Sequence, residues 1–324
     1  MDYSLTLKKG NDSKGIAIIR GGKQNGKIVY LTKNDTDKAL HKNLDYDELE
    51  HEMMKLKIRP RERVKLYNEI EELHSKNISP KDLVSTDKHL VELYKFCCNS
   101  MEDDKELKLG YGETFEILPS EDPKKSGRYY IAGMSESGKS YIAKQIIDNY
   151  HSLFPKRKIY VISKLKKDET LDSSKAKLIR IDPETFLEDP PTIEEFAEDK
   201  IGCLVVFDDF DNFKGKLGNI IQTFIDDCLQ MGRHHNISTI ICTHFITNYK
   251  QSSIKLAESQ YYIVFPHGAT SKKLSYLLGS YAGVSEKQVK MMKKMGRWIA
   301  LNRVSNPKYV ISEQEIKILN PDDE

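Results

Sequence analysis

The chain lacks a disulfide framework. Its 324 residues hold five cysteines, Cys97, Cys98, Cys203, Cys228 and Cys242. None forms a C-x-x-C pair, and an odd number suits a reducing compartment. Long hydrophobic runs are missing too: none approaches the roughly 18 apolar residues that a membrane-spanning helix needs. The first residues, "MDYSLTLKKGNDSKG", contain no apolar core of a secretory signal. The expectation is a soluble, intracellular protein that is not secreted. Nor is there an excess of one charge. Lys plus Arg number 51 and Asp plus Glu 49, for a net charge of +2, so any basic surface must be local. There is no internal repeat and no low-complexity tract. The length leaves room for a full core and for two domains.

Patterning divides the chain. Residues 1–45 read as a small β-rich region, with short apolar stretches in "SLTLKKGNDSKGIAIIRGGKQNGKIVYLT" separated by turn signals such as Asn-Asp and Asn-Gly. Residues 46–105 read as a helical accessory region, with Pro60 as a break and Ser79-Pro80 as a second helix start. The charged, turn-rich stretch 106–127 reads as a linker. From Arg128 strands alternate with helices: "RYYIAG", a helix from Lys139 to about Leu153, "KIYVIS", "KLIRI", "CLVVFDDF", a helix containing Ile220, Ile221, Phe224, Ile225, Cys228 and Leu229, "ISTIICTHF" and "YYIVF". Such alternation predicts an α/β domain over 128–324, with a mainly parallel sheet covered on both faces. Two short helices, near 270–280 and 285–295, then precede a hairpin with Asn306-Pro307 in its loop.

Three motifs carry chemistry. Gly133-Met134-Ser135-Glu136-Ser137-Gly138-Lys139-Ser140, followed by Tyr141, fits G-x-x-x-x-G-K-[ST] between a strand and a helix. Glycines there let backbone N–H groups approach phosphate oxygens, and the helix N-terminus faces the same anion. Lys139 is the expected partner of the β and γ phosphates of ATP, and the Ser140 hydroxyl a ligand of Mg2+. Leu204-Val205-Val206-Phe207-Asp208-Asp209 is an aliphatic strand ending in paired acids, the Walker B pattern. Asp208 is expected to hold the Mg2+ and Asp209 to polarise the attacking water. A further strand follows and ends in Thr243-His244. This order suits the class in which an extra strand lies between the P-loop and Walker B strands, its polar end sensing the γ phosphate.

"CLVVFDDF" followed by "FIDDCLQMGRHHNISTIICTHF" resembles the FtsK/HerA ATPases, most of all the genome-packaging ATPases of nucleocytoplasmic large DNA viruses. The resemblance covers 128–265 and leaves 1–105 untouched. It implies a RecA-like P-loop NTPase fold behind a small β-plus-helical N-terminal region. It also implies an ATPase that moves double-stranded DNA, a homo-oligomeric ring, and a viral capsid or membrane protein as partner. The implied setting is the virion or the infected-cell cytoplasm. Gly133, Gly138, Lys139 and Ser140 match the Walker A positions and Asp208 the metal aspartate. Two positions depart: Asp209 stands where the wider superfamily has Glu, and the sensor strand ends in Thr243-His244 rather than Thr-Gln. His244 still offers a hydrogen bond to phosphate. By resemblance Arg233 is a finger for a neighbouring subunit's nucleotide, or else a helix C-terminal arginine facing the dipole. Arg297 and Arg303 are rival fingers.

His234, His235, Cys242 and His244 match no structural zinc spacing. The basic stretches "KLKIRPRERVK" and "KQVKMMKKMGR" suit phosphate backbones or solvated helix faces. The loop 209–219 and the loop after His244, with Lys250, are the better DNA candidates by position. Two other classes stay open: an ATP-binding component of a virion or membrane complex that does not hydrolyse, and a small-molecule phosphotransferase. The latter predicts a lid with several arginines, and 164–200 contains only Arg180.

Overall fold

A computed structural model describes residues 3–10, 12–33, 46–76, 83, 85, 87–103, 105–197, 201–247 and 253–319. It divides into two compact units, 1–13 with 31–107 and 14–30 with 108–324. The first unit contains β1 (Tyr3–Thr6) and three helices, α1 (Tyr46–Lys55), α2 (Pro60–Ser75) and α3 (Lys88–Asp103). The expected break at Pro60 falls between α1 and α2, and Pro60 itself opens α2, because its missing N–H is not needed in the first turn. Ser79 and Pro80 lie outside the described residues. The helix that follows them starts at Lys88, where the Asp87 side chain accepts from the N–H groups of His89 (3.0 Å) and Leu90 (3.3 Å). Leu49, Met53, Leu66, Ile70, Leu93 and Tyr94 form the core of this unit. Part of its basic stretch is structural. Arg63 bonds Glu50 and the Ile58 carbonyl, Lys55 pairs with Glu52, and Lys65 pairs with Glu69.

Two strands, β2 (Ser13–Arg20) and β3 (Ile28–Lys33), meet the division between the units, joined by the expected Asn25-Gly26 turn with Gly26 at φ 84°. The stretch expected as a linker carries structure: β4 (Glu106–Lys108) and β5 (Thr114–Ile117). β5 pairs antiparallel with β2, Phe115 opposite Ile19 and Ile117 opposite Ala17, all four buried. Their alternation was hidden among charged neighbours. This ribbon is fastened to the next helix by polar contacts. Arg20 Nε donates to Glu116 at 2.8 Å, Arg20 Nη2 to Asn149 Oδ1 at 2.6 Å, and Asn149 Nδ2 to the Ile117 carbonyl at 3.1 Å.

The large sheet is of the expected α/β kind. Its strands are β6 (Arg128–Ala132), β7 (Lys158–Ile162), β8 (Leu178–Ile181), β9 (Cys203–Phe207), β10 (Ile237–Thr243) and β11 (Tyr261–Val264), then β12 (Ile299–Asn302), β13 (Lys308–Ser312) and β14 (Glu315–Leu319). Read from β14 to β8 the order is β14-β13-β12-β11-β6-β10-β9-β7-β8. From β11 to β8 all neighbours are parallel, and β12 to β14 add an antiparallel extension. The inner strands β9, β10 and β11 are buried throughout because both faces are covered. On one face lies α7 (Gly215–Gln230), burying Leu217, Ile221, Phe224, Ile225, Cys228 and Leu229 against Val205, Phe207 and Ile241. Helix α4 (Lys139–Leu153) buries Ile142, Ala143, Ile146, Ile147 and Tyr150. Shorter helices fill the crossovers: α5 (Glu169–Asp172), α6 (Ile193–Phe196), α8 (Ser253–Glu258), α9 (Ser271–Tyr276) and α10 (Glu286–Met292). No helix among the described residues is long and apolar enough to cross a membrane.

Phe224 packs against Phe186, Phe196 and Phe207, with ring centroids 4.9 to 6.3 Å apart. Replacing Phe224 with Ala is expected to cost about 3–5 kcal/mol, read as a lowered urea midpoint. A shift under about 1 kcal/mol would show that this cluster is not the packing centre.

Candidate functional site

Three parallel strands end side by side. β10 lies between β6 and β9, with Thr243 opposite Ala132 and Ile241 opposite Phe207. The ladder continues into the glycine loop, whose Gly133 N–H donates to the Thr243 carbonyl at 3.1 Å. The loop needs its glycines for different reasons. A Cβ on Gly133 would sit 2.5 Å from Ser137 Oγ and 2.6 Å from the Phe265 ring. Gly138 has φ 107°, which L side chains rarely adopt. Glu136 takes φ 63° without being glycine, a strained conformation of the kind that clusters at binding loops. Met134, Ser135, Glu136 and Tyr141 are exposed around the loop.

Lys139 is buried at the centre. Its Nζ donates to the carbonyls of Gly133 (3.1 Å) and Met134 (3.2 Å). It also lies 3.3 Å from His244 Nδ1 and 3.7 Å from Asp209 Oδ1. His244 Nε2 is 3.1 Å from Asp209 Oδ2. An ammonium only donates, so Nδ1 accepts, and Nε2 carries the proton it gives to Asp209. His244 therefore bridges Lys139 of the glycine loop and Asp209. Asp209 reaches this position from a left-handed backbone, φ 46° and ψ 47°. Its Oδ1 and the Ser137 hydroxyl oxygen are buried without a hydrogen-bond partner. Both are open to a group not in the chain.

Asp208 is buried and accepts from Ser163 Oγ at 3.1 Å. Burial, with Asp209 and Asp168 adding, pushes its pKa up to about 6. Ser140 Oγ lies 3.4 Å from Asp168 Oδ2. Among the described residues no three His, Cys, Asp or Glu side chains converge to hold a metal by themselves. A hydroxyl and a crowded carboxylate pair nevertheless fit a hard cation that completes its shell with phosphate oxygens and water, as Mg2+ does. Ser140 and Asp208 are the residues that would hold it.

Three side chains escaped the sequence reading. Asp211 accepts from Thr243 Oγ1 and from the His244 N–H (2.9 Å), fixing the end of β10. Burial raises its pKa, and these two hydrogen bonds offset part of the rise. Asp168 and Ser163 complete the surroundings of Ser140 and Asp208. The crowding of acids in Asp208-Asp209-Phe210-Asp211 was visible, but not their separate partners. In the expected DNA loop 209–219, Phe210 and Phe213 are buried and α7 starts at Gly215. Lys250 lies outside the described residues. Arg297 Nη2 donates to the Ser137 carbonyl at 2.9 Å within the same chain. Arg303 is tied to the carbonyls of Leu256, Ala257 and Tyr281 and to the Tyr262 hydroxyl. Arg233 is exposed before the start of β10, at the opposite end of that strand from His244. His234 and His235 share that end, so β10 separates them from His244.

No family model matches the chain. Among known proteins it is similar to "Uncharacterized protein V3" of Sputnik virophage, 34% identical over 207 residues, which are 63% of this chain and 82% of V3. The chain belongs to the family of V3. Among solved structures it is similar to the genome packaging NTPase B204 of Sulfolobus turreted icosahedral virus 2 in complex with AMPPCP. There the TM-score is 0.41 and the identity 16%, over 59% of this chain and 98% of B204. The pCW3 conjugation coupling protein TcpA gives 0.40 and 12%, over 66% of this chain and 65% of TcpA. EssC (ATPases 2 and 3) of Geobacillus thermodenitrificans gives 0.41 and 12%, over 66% of this chain and 43% of EssC. The extra strand expected between the glycine-loop strand and the strand ending in paired acids is present as β10.

The Asp208 carboxyl ionises near 3.8 in an unfolded chain and near 6 when folded. Its charge therefore costs the fold nothing below 3.8. The cost grows as pH rises through that window and is complete above it. Asp208→Asn is expected to stabilise the metal- and nucleotide-free protein at neutral pH by on the order of 2 kcal/mol. The gain should fade as pH drops toward 3.8, read by thermal melts across pH. A variant less stable at neutral pH would refute the buried-charge account.

Proposed function

We propose that the chain is an ATP-dependent motor that moves double-stranded DNA, in the setting of viral genome packaging, and that it works as a homo-oligomeric ring. One observation carries this reading: the inserted strand β10 ends in Thr243-His244, and His244 contacts both Lys139 and Asp209. A sensor joined to both Walker motifs is a device for registering the γ phosphate. Kinship with a virophage protein supports a viral setting, the virion or the infected-cell cytoplasm, with a capsid or membrane protein as a further partner.

In this reading ATP lies along the loop from Gly133 to Tyr141, against its N–H groups and the first turn of α4. Lys139 exchanges its carbonyl contacts for the β and γ phosphates. Ser140 and Asp208 would hold Mg2+, which when bound would supply positive charge at the phosphate oxygens. Asp209 orients the attacking water through its unpartnered Oδ1 and accepts its proton. His244, with Thr243 steadied by Asp211, reports the loss of the γ phosphate by changing its contact with Lys139. Arg233, remote from the nucleotide loop of its own chain, acts on a neighbour's nucleotide. A second reading, a slow ATP-binding switch in a virion or membrane complex, is favoured by the closed Lys139–His244–Asp209 chain, which phosphate must open. A phosphotransferase lid is poorly served: Arg180 is bound to Asp172 at 2.6 and 3.0 Å.

ATP turnover with and without long duplex DNA tests the motor. Stimulation by duplex is expected, and turnover indifferent to duplex would leave the switch. Lys139→Ala should abolish turnover, and retained turnover would sink the site assignment. Asp211→Ala is expected to lower kcat about tenfold or more with KM little changed. Mixing Arg233→Ala subunits with Lys139→Ala subunits should restore part of the activity, because each mixed interface can pair an intact finger with an intact loop. Absence of rescue would leave Arg233 a structural role.

A further inference from the structure

The edge of the sheet opposite the nucleotide loop carries a second concentration of charge. A cavity of about 290 Å³ opens where β6, β10 and β11 begin. Its charged lining residues are Lys14, Lys124, Lys125, Arg128 and Arg233, and no carboxylate lines it. The nearby acids lie outside the wall. The Glu121 carboxylate lies beside Gly15, next to Lys14; Asp122 is 3.8 Å from Lys125; and the Glu258 carboxylate acts on Arg128 from the side, where its main-chain carbonyl accepts from Arg128 Nε at 2.7 Å.

The cations are held together against their own repulsion. Lys14 is an exposed residue at the rim of the cavity. Burial first and Lys125 second lower its pKa. Arg128 is lowered by burial, with Arg233 and Arg303 adding to the effect and Glu258 opposing it. A polar donor waits in the same wall: the Ser126 hydroxyl is buried and has no hydrogen-bond partner. The backbone around it is occupied, since the Gly127 N–H donates to Ser238 Oγ at 3.0 Å and the Gly127 carbonyl accepts from the Thr239 N–H at 2.8 Å. Converging cations, an unused hydroxyl and the absence of a wall carboxylate describe a receptor for a multiply charged oxyanion.

We infer that this cavity is a phosphoryl-binding site separate from the nucleotide loop. It accepts a phosphate group between Lys14, Lys125 and Arg128, with the Ser126 hydroxyl donating to it. The phosphate comes either from the backbone of a nucleic acid or from a free polyphosphate. Both present the same oxygens, and the cavity is large enough for a phosphate with part of its substituent. This site needs neither ATP hydrolysis nor the ring, so it stands or falls apart from the motor reading.

Lysine footprinting tests it on the full chain. The protein is acetylated briefly with and without a mixed-sequence DNA duplex, and separately with and without tripolyphosphate. Modification at each lysine is read by mass spectrometry, with exposed Lys23 and Lys175 as references. Lys14 and Lys125 are expected to be slowed about threefold or more relative to the references. Protection by the duplex alone identifies a nucleic-acid backbone, and protection by tripolyphosphate identifies a free phosphoanion. Lys14 and Lys125 modified at unchanged rates with both ligands would overturn the site. As a second reading, Lys14→Gln/Lys125→Gln with an unaltered melting midpoint should weaken the protecting ligand about tenfold. If that ligand is the duplex, the slope of log affinity against log salt should fall by roughly two. Affinity and slope equal to wild type would overturn the inference independently.

Discussion

Three parallel strands in one register govern the site. Adjacent strands in a sheet lie about 4.8 Å apart, so the loops leaving β6, β10 and β9 must begin as neighbours. Each loop opens with a different chemistry: glycines and a lysine after β6, a threonine and a histidine after β10, paired acids after β9. The hydrogen bond from Gly133 to the Thr243 carbonyl carries the ladder one residue beyond the strands, into the phosphate loop. Placing β10 elsewhere would separate Lys139 from His244 and His244 from Asp209, with no change in any residue.

The same closeness sets the electrostatics. Asp208 and Asp209 flank the buried Lys139 ammonium, Asp168 and Asp211 lie close by, and burial raises Asp208 and Asp211 rather than lowering them. Carboxylates so placed repel a phosphate as well as each other. Such a donor set would fit a hard cation, whose charge would reverse the balance. The Asp209 oxygen and Ser137 hydroxyl that lack hydrogen-bond partners fit a site that is polar beyond its own internal needs. At the far edge of the sheet the imbalance has the opposite sign, so the two ends of the parallel strands present different charge to their surroundings.

Much of this was legible in the sequence where the determinants were contiguous. "GMSESGKS", "LVVFDD" and "ISTIICTHF" each announce a strand and the chemistry at its end, and the alternation of strands and helices gives the layers. The roles of Asp168, Asp211 and Ser163 were not legible, because each acts on a residue brought near only by folding. Ser163 follows β7 and reaches Asp208 across a strand pair. The ribbon strand β5 was missed for a different reason. Only Phe115 and Ile117 alternate there, and the Glu, Asp, Pro and Gly around them carry the signature of a loop.

The fastening of that ribbon to the nucleotide-loop helix bears on where the protein can be cut. By motif alone, the catalytic part begins at Arg128. Cutting there would strip β2 and β5 away, withdraw Glu116 and the Ile117 carbonyl from Asn149, and leave a buried amide without acceptors beside bared apolar surface. The helix that starts at Lys139 would then end on an unsatisfied polar group. An independently folding fragment must therefore include both residues 14–30 and residues 108–127, and a single continuous excision from the gene cannot supply them without also carrying the helical unit between.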